Sequence, residues 1–311
     1  MARRELGPAA LAVAQAVERM VRGVDRFVVG CSGGPDSLAL ALASKWASRR
    51  CESGVRVVIV DHQLQQGSDE VAERTRDLLA RRGMDACVRR VDVDAHDPDG
   101  PEAAARTARR AALLDVAGDE PVLLGHTRDD QAEQVLLSLA RGSGATSLAG
   151  IRPRSGQFWH PLLEVRRAQT VQACREWEVE PWQDPHNGDP RFLRSRVRTE
   201  LIPVMEEVLG PEVAASLARS ATLLAGEDEV VARVARMWAD EHGVNANELP
   251  GLRGVEVGLA RRVVKEWLPQ ARMVHVDAVL GLLDGPGGAG VDVPGGRVEM
   301  RQGTLYLARR L

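Results

Sequence analysis

The sequence has few aromatic residues and almost no lysine. Aromatic side chains make up 3% of the 311 residues, so the core has to be built mainly from alanine, leucine and valine. Of the 41 basic residues only Lys45 and Lys265 are lysines, a bias typical of a GC-rich genome. The net charge of -3 does not indicate a general nucleic-acid binder, so an RNA partner would require a local basic patch.

Paired cysteines and long apolar runs are also missing. Cys31, Cys51, Cys87 and Cys174 are scattered without a CxxC pair, which argues against a zinc ribbon, an iron–sulfur site or a disulfide framework. No apolar run approaches the ~18 residues of a membrane span, and the N-terminal MARRELGPAA lacks the apolar core of a signal peptide. We therefore expect a cytoplasmic protein, and its length favours two domains.

Short apolar runs alternate with helical patterns through the first half of the chain. Strands are predicted at Arg26–Gly30, Val55–Val60, Ala86–Val91 and Pro121–Leu124. Helices are predicted at Leu11–Arg22, Pro35–Arg49, Ser68–Arg82 with Ser68 as N-cap, Pro101–Val116, and from the N-cap Thr127 to Leu139. This alternation predicts a parallel sheet covered by helices on both faces, with ligands bound beyond the carboxyl ends of the strands.

The second half of the chain has a different pattern of predicted elements. Helices are predicted at Arg167–Trp177, Val197–Leu209 with an interruption at Pro203, Pro211–Glu241 and Arg253–Trp267. Glycine-rich turns then separate short strands that end at Thr304–Leu307. We expect a catalytic α/β domain over residues 1–215 and a helical connector with a small α+β domain over residues 216–311.

The segment Ser32–Ser37 (SGGPDS) joins the first predicted strand to a helix. Gly33 and Gly34 lack Cβ atoms, so their amides can approach phosphate oxygens closely, and the helix N-terminus adds free N–H groups. Ser32 and Ser37 add hydroxyl donors, and Asp36 suits Mg²⁺ that bridges the phosphates. An ordinary turn is the alternative explanation.

The same segment resembles the SGGxDS signature of PP-loop ATP pyrophosphatases, a fold of the adenine nucleotide alpha hydrolase-like, Rossmann-type class. The sequence contains neither GK[ST] nor GxGxxG at this place, which excludes a Walker loop and disfavours a dinucleotide fold. The resemblance implies cleavage of ATP between the α- and β-phosphates, adenylation of a carbonyl oxygen, and displacement of AMP by a nucleophile.

The segment Gly125–Gln134 (GHTRDDQAEQ) follows the fourth predicted strand. It is similar to the HHxDDQxET pattern of tRNA(Ile)-lysidine synthases and their tRNA-thiolating relatives, and departs from it at Gly125 and Gln134. His126 and Asp130 are candidates for ordering Mg²⁺, the α-phosphate or an attacking amine. Helix capping is the alternative role of Asp130, and it leaves one carboxylate oxygen free.

Three further segments resemble the same family. Val60–Leu64 matches the strand-end VDHxL of its adenosine pocket, and Glu102–Arg106 is similar to its ExxAR helix; a strand-terminating turn and a solvated arginine are the alternatives. His160–Leu163 resembles RPLL, with His160 in place of arginine.

A basic segment lies farther along the chain. Asp184 and Asn187 followed by Arg194–Arg198 resemble D-x-x-N…RNxxR, with Ser195 in place of asparagine. Residues 191–198 hold four arginines and no acid, which indicates an anionic partner or, alternatively, a solvated loop.

The resemblance to tRNA(Ile)-lysidine synthases implies the substrates and the site residues. The enzyme would adenylate C2 of the wobble cytidine in tRNA(Ile) with a CAU anticodon and ligate free L-lysine, using ATP and Mg²⁺. The implied catalytic residues are Asp36, His126, Asp130 and Arg198, with Asp36 and Asp130 on Mg²⁺. The implied ATP residues are Ser32, Gly33, Gly34, Pro35, Asp36, Ser37, Asp61 and His62. The implied tRNA residues are Arg106, Asp184, Asn187, Arg191, Arg194, Arg196 and Arg198.

Alternative functions stay open at this point. A tRNA thiolase and a small-molecule amide-forming enzyme use the same nucleotide chemistry, although an iron–sulfur thiolase requires a CxxC arrangement that this sequence lacks. A non-catalytic ATP-binding module is the alternative from another class. The sequence also leaves the oligomeric state open, with a homodimer among the choices.

Overall fold

The computed structural model describes residues 6–63, 67–93, 100–184, 188–189, 191–285 and 289–309. The chain divides into two compact units, Met1–Leu223 and Leu224–Leu311. The division falls inside one long helix, Val213–Glu241, which also contains the boundary that we predicted after residue 215. A continuous helix carries no loop signal that would mark such a division in the sequence.

A six-stranded sheet forms the centre of the first unit. Its strands are β1 (Arg26–Cys31), β2 (Gly54–Asp61), β3 (Asp85–Arg90), β4 (Val122–Leu123), β5 (Arg154–Ser155) and β6 (Phe158–Trp159), in the order β3-β2-β1-β4-β6-β5. Every pairing is parallel except that between β5 and β6. The predicted parallel α/β sheet is thus confirmed, while the two-residue strands β5 and β6 were not predicted because they are too short to show periodicity.

Helices follow the strands in the predicted alternation. They are α1 (Pro8–Val21), α2 (Pro35–Cys51), α3 (Ser68–Arg81), α4 (Pro101–Ala117), α5 (Arg128–Ala140), α6 (Ala145–Leu148), α7 (Arg167–Glu176), α8 (Leu193–Arg196), α9 (Ile202–Leu209) and α10 (Val213–Glu241). The prediction that Ser68 caps α3 was wrong. Gly67 is the N-cap, and the Ser68 hydroxyl instead donates to Asp61 Oδ1 at 2.7 Å.

The two faces of the sheet carry separate apolar cores, because side chains alternate along each strand. Phe27, Val29 and Ile59 pack with α1, α2, α3 and α7 on one face. Val28 and Val58 pack with α4 on the other. This arrangement fixes the carboxyl ends of β1, β2 and β4 side by side.

A π-helix, Val197–Leu201, joins α8 to α9. The sequence predicted an interruption at Pro203, which lies in the first turn of α9 immediately after the π-helix. Proline has no N–H to bond backward and its ring crowds the preceding turn, so a wider turn before it relieves the conflict. Arg198, a predicted site residue, belongs to this π-helix, and such turns are frequent at functional sites.

The second unit has its own antiparallel sheet and its own core. The strands β7 (Glu248–Leu249), β8 (Gly290–Val293), β9 (Gly296–Arg301) and β10 (Thr304–Arg309) run in the order β7-β10-β9-β8. Helices α11 (Val257–Trp267) and α12 (Met273–Gly281) cover it, and α12 was not predicted. In the parts of the chain that the structure describes, no helix has both the length and the hydropathy needed to span a membrane.

Gly125 allows the end of β4 to approach the first turn of α2. A Cβ atom at this position would lie 3.0 Å from the Asp36 carbonyl oxygen and 3.1 Å from the Ser37 nitrogen. We expect Gly125→Ala to lower the free energy of unfolding of the first unit by about 1–3 kcal/mol, because backbone atoms cannot move aside cheaply. Chemical denaturation measures this change.

Gly144→Ala is the matched control for that prediction. Gly144 has a φ of -75°, which alanine adopts readily, and a Cβ there would meet no atom within 4 Å. We expect a change within about 0.5 kcal/mol, as for most substitutions in open positions. Equal stability of the two variants would refute the close approach at Gly125.

Candidate active site

Three predicted segments meet at one edge of the sheet. Since β1 pairs in parallel with both β2 and β4, the segments that follow these strands lie beside one another. They carry Ser32–Ser37, Asp61-His62 and His126–Asp130, respectively. The sequence placed its candidate nucleotide residues at strand ends, and the topology brings these ends together.

The loop after β1 is closed by serine hydroxyls. Ser37 Oγ accepts from the Ser32 N–H at 3.0 Å, donates to Gly34 O at 3.1 Å, and lies 3.1 Å from Ser32 Oγ. Pro35 is the first residue of α2, where its missing N–H costs nothing, and Gly34 is the N-cap without a side chain over the helix end. The N–H groups of the first turn are therefore accessible to an anion.

Gly33 fixes the turn of this loop. Its φ is +83°, in the region that favours glycine, and a Cβ atom would lie 2.6 Å from Thr75 Oγ1 on α3. Its carbonyl accepts a hydrogen bond from the Trp182 N–H at 2.9 Å. The loop is thus held from both sides in a conformation that other residues cannot adopt without strain.

Asp36 points from the first turn of α2 to Arg167, the first residue of α7. Arg167 Nε donates to Asp36 Oδ2 at 3.1 Å, and the Thr170 hydroxyl donates to Asp36 Oδ1. Burial raises the pKa of Asp36, although Arg167 and Thr170 act in the opposite direction. The acid predicted to hold Mg²⁺ therefore has an arginine as its direct partner.

Asp130 forms the predicted capping box with Thr127. Its Oδ2 accepts from the Thr127 N–H and the Thr127 hydroxyl, both at 2.8 Å. The oxygen that capping leaves available, Oδ1, accepts from Arg167 Nη2 at 2.7 Å. Burial alone would raise the pKa of Asp130, but Arg167 and Thr127 hold it below its usual range.

Glu133 is a site residue that the sequence analysis did not select. Its side chain is 0% exposed, yet it accepts from Arg198 Nε at 2.7 Å, from Arg198 Nη2 at 3.1 Å, and from Arg167 Nη1 at 3.1 Å. It lies one helical turn after Asp130, inside the motif quoted above, so the spacing on α5 was an available signal.

Arg167 is the other site residue that the sequence analysis missed. Burial would lower its pKa, but Asp130, Asp36 and Glu133 together raise it, so the group is always charged. Its backbone N–H donates to Asp129 Oδ2 at 2.8 Å, so Asp129 at the start of α5 fixes the start of α7. Arg167 is far from both acidic segments in sequence, and no local pattern pairs it with them.

The predicted arginine patch divides into two groups. Arg191 and Arg196 are exposed and pair with Asp189 at 2.6 Å and Glu200 at 3.2 Å. Arg198 turns inward to Glu133, and Arg194 Nη2 donates to Gln134 at 3.0 Å. Arg194 Nε lies 3.4 Å from Glu133 Oε2 without hydrogen-bond alignment, so we treat that contact as a charge interaction only.

His126 and His160 lie against each other, with ring centroids 4.8 Å apart. Burial, followed by His160, lowers the pKa of His126 to about 3, so its imidazole is neutral near pH 7. Burial also lowers the pKa of His160, whose Nδ1 lies 2.8 Å from Arg152 O, consistent with an N–H at Nδ1. His160 therefore offers no positive charge in place of the arginine of the RPLL segment.

Asp61 closes the end of β2. Its Oδ1 accepts from the Gln63 N–H at 3.0 Å and from Ser68, while its buried Oδ2 has no hydrogen-bond partner among the described residues. A cavity of about 220 Å³ lies here, lined by Asp61, Gln63, Ser68, Asp69 and Arg90. The neighbouring His62 is half-buried at the start of the following loop.

The remaining predicted tRNA residues lie on other elements. Arg106 is exposed on α4, and its charge contributes to the lowered pKa of His126 and of His160, while Asp184 is half-buried after Trp182. Asn187 and Leu64 lie outside the described residues. The predicted roles of Arg106, Asp184 and Asn187 stay predictions.

The identification of Gly125 as a departure from the family pattern was wrong. When HHxDDQxET is aligned on Asp129-Asp130-Gln131, its second histidine position falls on Thr127, and Gly125 precedes the pattern. Thr127 is 0% exposed and serves as the N-cap of α5. His126 therefore occupies the first histidine position of the pattern.

The side chains present fit an Mg²⁺ site with Asp36 as the one protein carboxylate better than a site that uses both Asp36 and Asp130. Carboxylate and phosphate oxygens are the ligands that Mg²⁺ prefers, and one carboxylate often suffices when phosphates supply the rest. Between the two carboxylates, however, lies the Arg167 guanidinium. Among the described residues, no group of three or more acidic, histidine or cysteine side chains could hold a metal ion.

Comparison with known proteins gives consistent results. The PP-loop domain family matches residues 9–205, more than half of the chain. The chain is 99% identical over 311 residues to the tRNA(Ile)-lysidine synthase of Cutibacterium acnes (strain DSM 16379 / KPA171202), covering 100% of both chains. It is 46% identical over 270 residues to that of Thermobifida fusca (strain YX), covering 83% of this chain and 82% of the relative.

A structural comparison supports the fold independently. The U34-tRNA thiolase NcsA from Methanococcus maripaludis, described with its 4Fe–4S cluster, superimposes with a TM-score of 0.59. The match covers 70% of this chain and 79% of that chain at 16% identity, and it bears on the fold alone. On the full-length sequence match and the PP-loop domain, the chain belongs to the tRNA(Ile)-lysidine synthase family.

Proposed function

We propose that this protein is an ATP-dependent ligase that joins free L-lysine to the wobble cytidine of tRNA(Ile) with a CAU anticodon. The observation that carries the proposal is the buried cluster of Asp36, Asp130 and Glu133 with Arg167, directly beside the phosphate loop. The full-length likeness to tRNA(Ile)-lysidine synthases supports this choice of substrates. A cytoplasmic location is part of the proposal, because tRNA, ATP and free lysine meet there.

The reaction follows from the chemistry of the two substrates. The C2 carbonyl oxygen of cytidine attacks the α-phosphorus of ATP, and diphosphate leaves. The ε-amine of lysine then attacks C2, gives up a proton, and AMP leaves with the oxygen that came from C2. The wobble base has to leave its stack to reach the site.

The phosphate loop supplies the site for the triphosphate. The glycine amides and the start of α2 suit an anion, and Arg198 and Arg167 offer planar guanidinium groups that bind two phosphate oxygens at once. Mg²⁺ bound at Asp36 would neutralise charge on the phosphates. We assign the adenosine to the cavity at Asp61, because polar side chains line it at the carboxyl end of β2, where ligands of parallel sheets bind.

The carboxylates of α5 suit the amine of lysine. Asp130 and Glu133 are buried acids of the cluster, and an ammonium group can donate three hydrogen bonds to such oxygens. The neutral imidazole of His126 next to Asp130 offers a nitrogen that accepts a proton only weakly. We therefore assign His126 a role in orienting the nucleophile.

A sulfur-transfer reaction fits the site less well. Cys31 and Cys174 are buried near the phosphate loop, and burial raises the pKa of both thiols, to about 12 for Cys174. Thiols in that state are poor nucleophiles.

An ATP–diphosphate exchange assay in the presence of tRNA distinguishes the proposed ligase from a non-catalytic ATP-binding module. The ligase catalyses this exchange, and such a module does not.

The direct test is incubation of the protein with ATP, radiolabelled lysine and tRNA(Ile), followed by mass analysis of the nucleosides. We expect lysidine in place of the wobble cytidine, and one AMP and one diphosphate for each lysine incorporated. Nucleotide consumption without a lysine-containing nucleoside would overturn the proposed function.

Asp36 supplies the first site-directed prediction. We expect Asp36→Asn to reduce ATP–diphosphate exchange roughly 100- to 1,000-fold, the usual effect of losing one preorganised charge at a reacting phosphate. The amide keeps the shape of the carboxylate but weakens the ion pair with Arg167, so we expect a lower melting temperature in a protein that stays folded at the assay temperature. Asp77→Asn is the control, since Asp77 is 50% exposed on α3 and pairs with Arg76. Full exchange activity of Asp36→Asn would rule out a role for the negative charge of Asp36 in the reaction.

Arg196 supplies a prediction about tRNA binding. We expect Arg196→Ala to weaken tRNA binding and to reduce the slope of log K against log salt by about one, because one phosphate contact is lost. ATP binding should not change. Arg22→Ala on α1 is the matched control, since Arg22 and Arg196 are both exposed and each pairs with a glutamate four residues away. Identical salt slopes for the two variants would exclude a phosphate contact at Arg196.

A further inference from the structure

The acid–arginine cluster beside the phosphate loop is electrically balanced. It contains the three carboxylates Asp36, Asp130 and Glu133 and the three guanidinium groups of Arg167, Arg194 and Arg198. A phosphate that binds Arg167, or a cationic amine that binds Asp130 Oδ1, therefore has to take partners from groups that already have them.

Arg167 occupies the central position in the cluster. Its Nε, Nη1 and Nη2 each donate to a different acid, namely Asp36 at 3.1 Å, Glu133 at 3.1 Å and Asp130 at 2.7 Å. Among the ion pairs of the described residues, only Arg167 joins the acid of α2 to those of α5. Arg198, by contrast, donates two hydrogen bonds to Glu133 and has its Nη2 3.5 Å from Asp130 Oδ1, so it contacts only acids of α5 among the described ion pairs.

The position of Arg167 links the two substrates. A phosphate seated at the start of α2 would lie beside Asp36 and would compete with it for the guanidinium, which binds phosphate oxygens in a bidentate way. Once Arg167 turns to phosphate, Asp130 Oδ1 loses its hydrogen-bonded cation and keeps only the Arg198 contact at 3.5 Å, whereas Glu133 keeps both hydrogen bonds from Arg198. The loss at the buried Asp130 is costly unless another cation replaces Arg167. The ammonium group of lysine is such a cation.

We propose that Arg167 is a positioning residue that couples ATP binding to lysine binding by exchanging its carboxylate partners for phosphate. The proposal rests on the proposed function, because it takes ATP and lysine as the substrates of this site. In the free protein Arg167 occupies the place that the lysine ammonium requires. In the nucleotide complex it stabilises the phosphates and vacates Asp130 Oδ1 for the amine. Nucleotide therefore binds before lysine.

Coupling of this kind is reciprocal and measurable. The dissociation constant of L-lysine is measured by calorimetry for the free protein and for the protein saturated with α,β-methylene ATP, at one fixed Mg²⁺ concentration. We expect the nucleotide analogue to tighten lysine binding roughly 5- to 150-fold, the usual range for two coupled sites. Norleucine, which lacks the ε-amine, should show no such effect.

Arg167→Gln tests the residue itself. Without the guanidinium, lysine should bind the free protein about as tightly as it binds the wild-type nucleotide complex, and the analogue should no longer tighten it. The analogue itself should bind more weakly. If Arg167 had only a structural role, its replacement would change the stability of the protein, but the nucleotide analogue would still tighten lysine binding by the wild-type factor.

Arg166→Gln is the matched control. Arg166 precedes Arg167 in the chain, is 53% exposed and pairs with Glu212 at 3.3 Å, away from the cluster. We expect its ratio of lysine affinities to equal that of the wild type. If Arg167→Gln does not fold, Arg167→Lys keeps the charge but cannot contact three acids at once, and its ratio should be smaller than that of the wild type.

The wild-type protein alone can overturn the proposal. Equal lysine affinities with and without the analogue, or no lysine binding in either state, would contradict it whatever the variants do. If either outcome were found while the protein still formed lysidine normally, the coupling proposal would fail and the proposed function would stand. Absence of lysidine in the tRNA assay would instead contradict the proposed function.

Discussion

One partly buried guanidinium holds the site together. Arg167 contacts Asp36, Asp130 and Glu133 with its three nitrogens, and its own backbone N–H is fixed by Asp129. Three carboxylates cannot lie together in a buried place without compensating cations, since the desolvation of each charge would cost several kcal/mol. The positions of α2, α5 and α7 around the sheet edge therefore depend on this pairing as well as on apolar packing.

The parts of the structure that local patterns determine were predictable from the sequence. The parallel sheet follows from apolar runs alternating with helical segments, and the capping box of Thr127 and Asp130 follows from spacing within four residues. The phosphate loop was likewise recognisable, because Ser32–Ser37 resembles a known signature and lies between a predicted first strand and a helix. Each of these features leaves a pattern in a short stretch of sequence, although the strands of the sheet pair with strands far away in the chain.

The centre of the site was not predictable in the same way. Arg167 meets Asp36 through the folding of the whole first unit, and nothing around either residue indicates the other. Glu133 was missed because a glutamate on a helix is usually exposed, whereas here its side chain is 0% exposed. The arginine segment 191–198 was considered as one patch, but helical geometry turns Arg198 inward and leaves Arg196 exposed.

The account describes a site in which cations and anions change partners when substrates bind. A crystal structure of the protein with α,β-methylene ATP tests this claim most directly. We predict the triphosphate against the amides of Gly33 and Gly34, with the guanidinium of Arg167 on a phosphate oxygen and the carboxylate of Asp130 released from it. A nucleotide bound elsewhere, or a nucleotide in the loop with Arg167 still on all three acids, would contradict the account.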